Sequence, residues 1–459
     1  MNNSKKEVMN MTTGSPVKHI LVFALPLFIG NVFQQLYNMV DSIIVGNFVG
    51  SNALAAVGAC GSLTWLFFSL SSGLAIGIGV IVSQSFGAGK EDRIKAAIAN
   101  SIYILLISSI IFSLTGVIFA EPILRLIDTP SEMLPDAVIY MRTTCSGIVF
   151  VSAYAGVSAL LRALGNSKVP LYFLIAASII NTILDIVFVK YLGMKVFGAA
   201  LATIISQFIS AVTCMVYAYR TISYFRISRS DMKADKDIIM QSVKLGAPIS
   251  LQYAMIAISC VVLQGVVNSF GVTVAAAFTV TSKIESIIQL PYSSISTAVT
   301  TYTGQNVGAG KIERVKTGFR YSILMTFIFS MAMLPLAYLL GSQIIGLFVK
   351  DAAVIAMGAV ALKITSVCYF PLSTIYIPRG IMNGAGDARF AMINGLTEVS
   401  CRIVYACLFT HIPQLGYWGV WVTTGATWTT TGIICLIRYY SGIWQKKAVI
   451  SSEPSSQNT

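Results

Sequence analysis

Asn31, Gln34, Asn38 and Asp41 follow one another at spacings of three, four and three inside NVFQQLYNMVDSIIVG (31–46). On a helix that spacing lines four polar side chains along one face. The pattern recurs in LYFLIAASIINTILDIVFV (171–189), with Ser178, Asn181, Thr182 and Asp185, and in FGAALATIISQFISAVTC (197–214), with Thr203, Gln207, Ser210 and Cys214. A carboxylate at bilayer depth costs about 2.5–3.5 kcal/mol even on a lenient insertion scale. Neither Asp41 nor Asp185 has a basic residue within a turn of its own helix. Two carboxyls with amide and hydroxyl neighbours therefore suit a Na⁺ or a proton held between them, the usual basis of coupling to an ion gradient. The competing reading is a structural hydrogen-bond network joining helices, with Asp41 held neutral.

The elements that position these groups are membrane spans. Of 459 residues 56% are hydrophobic and 11% charged, against about 25% charged in soluble domains. Apolar stretches long enough to cross some 30 Å of hydrocarbon recur from end to end. Twelve are expected, centred near residues 32, 68, 108, 148, 180, 208, 258, 288, 328, 366, 400 and 427. The formal charge of +13 follows the positive-inside rule rather than nucleic-acid binding. Basic residues cluster in alternate loops (Lys90, Arg93, Lys95; Arg162, Lys168; Arg220 to Lys236; Lys311 to Arg320; Arg379, Arg389; Arg438 to Lys447), and the intervening loop 121–136 is acidic. An even span number with basic end segments puts both termini in the cytoplasm of a bacterial cell, around a chain integral to the cytoplasmic membrane. The N-terminus reads as an uncleaved first span. The eight cysteines lie in apolar segments and read as small fillers.

The chain repeats. SQSFGAGKEDRIK (83–95) matches GQNVGAGKIERVK (304–316) at seven of thirteen positions, at an offset of 221. The same offset pairs Gly165 with Gly386 and FGAALAT (197–203) with WGVWVTT (418–424). Two copies of a six-span unit enter the membrane from the same side, so their pseudo-two-fold axis runs along its normal. The expected fold is thus an all-α polytopic membrane protein: an N-lobe (1–220), a cytoplasmic linker (221–237) and a C-lobe (238–459), with a cavity between lobes opening alternately to each side. The GAGK turns lack the spacing and the Ser/Thr of a phosphate-binding loop, so neither nucleotide nor cofactor is expected. No metalloprotease motif and no serine with a base occurs, which argues against an enzyme. Pro26 in the first span and Pro248 in the seventh permit kinks, and Pro26 is a candidate hinge for the helix bearing Asp41. Candidate polar residues of the cavity are Gln34, Asn38, Gln207, Lys283 and Glu285. Glu398 and Arg402, four apart, can neutralise each other, whereas Lys283 and Glu285 do not share a face and would pair with other helices.

FQQLYNMVDSIIVG (33–46), SQSFGAGK (83–90) and SIINTILDIV (178–187), within two six-span repeats, resemble the multidrug and toxic compound extrusion (MATE) family over about Val17 to Arg438. The resemblance implies export of amphipathic, often cationic, organic compounds against inward H⁺ or Na⁺, with small organic substrates and membrane lipids as partners. It further implies that Asp41, Asn181, Asp185 and Thr203 form an N-lobe cation site like that of the DinF-related branch. The NorM-like branch places acids in spans seven and ten; here span seven has Gln252 and Gln264, and span ten has no acid. A lipid-linked saccharide flippase of similar two-lobe plan is the alternative, and it would favour a strongly basic cavity.

Overall fold

The computed structural model describes residues 8–127 and 129–450; the extreme termini, whose side of the membrane was inferred above, and Asp128 of the acidic loop lie outside them. The described residues are helical throughout: α1 (Pro16–Phe48), α2 (Ser51–Gly87), α3 (Glu91–Ile118), a short α4 (Ala120–Leu126), α5 (Leu134–Ser146), α6 (Ile148–Ala163), α7 (Lys168–Asp185) and α8 (Lys195–Thr221), then α9 (Lys236–Asn268), α10 (Val272–Gly308), α11 (Ile312–Gly346), α12 (Ala352–Ser366), α13 (Tyr369–Ala385), α14 (Ala388–Thr410) and α15 (Gly419–Tyr440). Among the described residues nine helices are long and apolar enough to cross a membrane, and the bent pairs α5–α6 (45°) and α12–α13 (52°) raise the number to eleven. Besides the seven-residue α4, the remaining helix is α10, 37 residues long but enriched in Ser and Thr and interrupted by Lys283 and Glu285. With α10 the helical units fall on all twelve expected centres.

The repeat is written into the backbone. Gly50 and Gly271, Gly89 and Gly310, and Gly165 and Gly386 all have positive φ, each pair separated by 221 residues. In the GAGK turns the left-handed glycine lets Lys90 N bond back to Ser85 O (3.0 Å) and Lys311 N to Asn306 O (2.8 Å), closing α2 and α10. Only glycine adopts that conformation freely. Both bent pairs break at equivalent places too, Gly147 and Cys368.

The chain divides into two compact units. The first holds 25–250 with residues up to Met11, and the second holds Thr12–Ala24 with 251–451. The division therefore falls inside α1 and α9, next to Pro26 and Pro248, and not within 221–237. The reason is packing. Segment 221–237 is tied to α3 of the first unit: Asn100 Nδ2 donates to Lys233 O (3.3 Å), Asp235 N to Asn100 Oδ1 (2.9 Å) and Tyr103 OH to Met232 O (2.7 Å). The start of α9 lies on α2, where a Cβ on Gly77 would stand 2.4 Å from Gly246 N. In the second unit Lys311 Nζ donates to Thr12 O and Arg314 Nη1 to Gly14 O, both at 3.0 Å, which holds the segment before α1.

Candidate functional site: paired carboxyls on α1 and α7

Within the first unit α1 supplies Tyr37 and Asp41 one turn apart, α7 supplies Asn181 and Asp185 one turn apart, and α8 supplies Thr203. Asp185 is fully buried, and Asn181 and Asp41 nearly so. Thr203 Oγ1 joins the helices: Tyr37 OH lies 3.2 Å from it, Asn181 Nδ2 donates to it at 3.4 Å, and its own hydroxyl donates to Ala199 O at 3.2 Å. The carboxyls of Asp41 and Asp185 stand within hydrogen-bonding reach of each other, and Tyr140 of α5 is within electrostatic reach of both.

That approach supplies no donor, because two carboxylates cannot bond to one another without a proton. Asp41 Oδ1, Asn181 Oδ1 and both carboxyl oxygens of Asp185 are buried with no donor among the described residues. An unsatisfied buried polar atom costs about 1–3 kcal/mol, and more when charged. The paired carboxyls of Asp41 and Asp185, with the unsatisfied amide oxygen of Asn181 one helical turn away, make a place that wants a positive charge: a shared proton, or a small hard cation that takes oxygen ligands.

Local structure holds Asp185 at the edge of an irregularity. Immediately after it α7 widens into one π-helical stretch, Ile186–Tyr191, where Leu192 N reaches Val187 O at 2.9 Å. Such wider turns re-aim neighbouring side chains and recur at functional sites. Beneath it Val189 packs with Ile44, Val45, Val57, Val196 and Ala199, so the polar group sits on an apolar floor that keeps water out.

The predicted polar stripes are only partly used. Gln34 and Asn38 are exposed, and Gln207 is half-buried a turn beyond Thr203. Ser178 and Thr182 donate to Leu174 O and Ser178 O in their own helix, and Ser210 ties α8 to Phe173 O of α7. The α1 side chain that reaches Thr203 is Tyr37, which the sequence reading passed over, although its place four residues before Asp41 on one helical face was a usable signal. Tyr140 lies on α5 four residues after Asp136 and four before Thr144, and nothing in that spacing ties it to α1 or α7. α1 runs helical through Pro26.

In the second unit Lys283 lies on the exposed side of α10 and makes no ion pair among the described residues, while Glu285 is buried with the Thr365 hydroxyl at its carboxyl. The two do not act together. Glu398 pairs with Arg402 as expected, at 3.3 Å, but also with Arg379 at 3.4 Å. Arg379 is thus a residue of α13 paired inside the unit, and its assignment to a basic loop is corrected. Arg438 likewise is not a free loop charge: it clasps the buried Asp387 at 2.8 and 3.0 Å. His19 and His411 each engage a backbone carbonyl, of Thr13 and Cys407, at 2.6 Å.

Twelve span-length helical units in two repeats, with a buried cluster of acceptors in one of them, define a polytopic membrane protein of transporter type. The MatE family model matches residues 26–187 and again 248–408, one match per repeat, and the chain belongs to that family. Among curated proteins it is 30% identical over 441 residues to "Probable multidrug resistance protein YpnP" of Bacillus subtilis (strain 168), covering 95% of this chain and 97% of that one. It is 26% identical over 459 residues to "Probable multidrug resistance protein YoeA" of the same strain, covering 98% and 99%. Among solved structures, an MOP superfamily transporter from Pyrococcus furiosus, described as having a binding pocket of reverse polarity, superposes with a TM-score of 0.89 at 24% identity over 98% of this chain and 99% of that one. An outward-facing MATE family transporter gives the same score and identity over 96% and 99%. These likenesses agree on the two-lobe, twelve-helix fold.

Proposed function

We propose that the protein is a secondary antiporter that exports amphipathic, mainly cationic, organic compounds in exchange for inward H⁺ or Na⁺, by alternating access. The observation that carries this reading is the set of four unsatisfied acceptor oxygens on Asp41, Asn181 and Asp185. Such a site is empty of charge balance until a cation or proton arrives, so its occupancy can be tied to the conformation of α1. Pro26 supports α1 as the moving part: no backbone N–H bonds across that turn, which lowers the cost of bending there. The multidrug names of the curated relatives support small organic compounds as substrates and favour drug export over the saccharide-flippase reading. The placement of acids in the first repeat supports kinship with the DinF-related branch. We place the chain in the cytoplasmic membrane with both termini inside, on the distribution of its basic residues.

The test is dye efflux from proteoliposomes under separately imposed H⁺ and Na⁺ gradients, comparing wild type with Asp41→Asn. One gradient is expected to drive the wild type while the folded variant stays at the empty-liposome background. Equal transport by both proteins would reduce Asp41 to a structural residue.

A further inference from the structure

The second unit carries a buried group that the ion-coupling reading does not use. Arg379 on α13 and Arg402 on α14 bracket a single carboxylate, Glu398. The contacts are 3.4 and 3.3 Å, long beside the 2.7–2.9 Å of a strong charge-assisted bond. The same unit shows what a closed structural pair looks like, in the bidentate Arg438–Asp387 contact at 2.8 and 3.0 Å. Glu398 is stretched between two guanidiniums and saturates neither. The Nε–H groups of both Arg379 and Arg402 are buried without an acceptor, although Arg402 is 6% exposed and its Nη1 reaches only the thiol of Cys260, at 3.0 Å. Arg379 also lies over the ring of Tyr376, 5.7 Å from its centroid.

Glu285 on α10 is the other charge within reach of Arg402. It is buried, the Thr365 hydroxyl sits at its carboxyl, and its Oε1 has no partner. The four groups balance when both glutamates are ionised. Once Glu285 carries a proton, or is otherwise neutral, the cluster has one positive charge too many and two spare donors. Guanidinium is the side chain best matched to planar oxyanions. Each open donor costs free energy until an acceptor reaches it.

We propose that Arg379 and Arg402 form an anion-recognising subsite that takes the carboxylate, sulfonate or phosphate ester of an exported amphiphile, so that the preferred substrates are zwitterionic rather than purely cationic. This rests on the transport reading above but is read out by binding alone. Purified full-length protein in detergent, with no gradient, is titrated with two fluorescent rhodamines that differ in one group, a free carboxylate against its methyl ester. The carboxylate form is expected to bind about tenfold more tightly, the worth of one charge-assisted hydrogen bond. Arg379→Gln, which leaves the Arg402–Glu398 pair in place, should remove that preference and leave ester binding unchanged. Glu285→Gln, nearly isosteric, should strengthen carboxylate binding and leave the ester alone. Equal binding of the two dyes by the wild type, equal weakening of both by Arg379→Gln, or no response to Glu285→Gln would each overturn the subsite. Displacement of the carboxylate dye by inorganic sulfate would assign the site to a free anion and overturn its link to an exported compound. Because efflux is not measured, a failed antiport test leaves this result standing, and the reverse.

Discussion

Carried through the 221-residue offset, the ion-site residues of the first unit meet very different partners in the second. Tyr37 becomes Ile258, Asp41 Val262, Asn181 Arg402, Asp185 Ala406 and Thr203 Thr424. Ala406 is buried in an apolar cluster with Val267, Val274, Val420 and Trp421, where its counterpart Asp185 leaves both its carboxyl oxygens unsatisfied within reach of Asp41. Arg402 brings a permanent positive charge to the place of Asn181, and Glu398, where the first repeat has Ala177, brings its counter-ion. The span order and the glycine turns correspond in the two copies, but the π-helical stretch after Asp185 has no counterpart after Ala406, where α14 stays α-helical to Thr410. The first copy buries carboxyls with no positive charge beside them, and the second buries a carboxylate between tethered arginines.

Several substitutions break or sharpen the contrast. Asp185→Ala gives the first unit the residue of the second, and ion-driven efflux should fall to background while detergent-phase binding of an ester dye persists. Retained efflux would mean that the second unit also couples. Arg402→Ala strands part of Glu398 and should cost about 3 kcal/mol of stability, seen as a lowered unfolding midpoint in detergent. Adding Glu398→Ala should not recover the loss, because it unpairs Arg379 as well, and a double-mutant cycle reads the Arg402–Glu398 coupling. Asp387→Ala should also cost about 3 kcal/mol by unpairing Arg438. Its counterpart Asn166→Ala, which removes an acceptor 3.1 Å from Val169 N, should cost only about 1 kcal/mol. Similar losses at the two positions would show that the ion pair is worth no more than the Asn166 contact. Thr203→Ala should weaken the activating ion by about fivefold in its half-saturating concentration, the worth of one neutral hydrogen bond.

The smallest effect belongs to the exposed pair Glu121–Arg125, 2.8 Å apart. The Arg125 hydrogen bond, with its charge, holds the Glu121 carboxyl below its ordinary value of 4.5. A lowered carboxyl stabilises the fold above that ordinary value, and the contribution fades as pH falls through the lowered one. Side-chain exposures of 64% and 40% and salt screening leave little to lose, so Arg125→Ala should not move the unfolding midpoint at neutral pH. A clear shift there would mean that α4 is held by its charges rather than by Leu124, which is buried in the apolar cluster of α2 and α5.

Much of this architecture was legible. Span number follows from apolar runs alone, because a lipid-facing helix has no choice of composition. The repeat was visible at GAGK and proved to extend to the handedness of three glycine pairs. The site was legible as a list of residues and illegible as a set of contacts. Helical periodicity tells which side chains share a face but not which way that face turns. In a chain whose lipid side and packed side are both apolar, hydrophobicity cannot supply the missing angle. Hence Gln34 and Asn38 looked equivalent to Asp41, and Tyr37 and Tyr140 passed as ordinary aromatics. Arg379 looked like a loop charge because its partner lies nineteen residues away on another helix.

By itself, then, the sequence determined that the chain lives in a membrane, how many times it crosses, that it is built twice, and which of its groups can carry charge. Only the tertiary structure decided that Asp41 and Asp185 meet, that their oxygens go unsatisfied, that Glu398 is shared by two arginines, and that the compact units divide beside Pro26 and Pro248. The first set depends on transfer free energies that each residue carries with it, the second on rotations and translations of whole helices that no local stretch encodes.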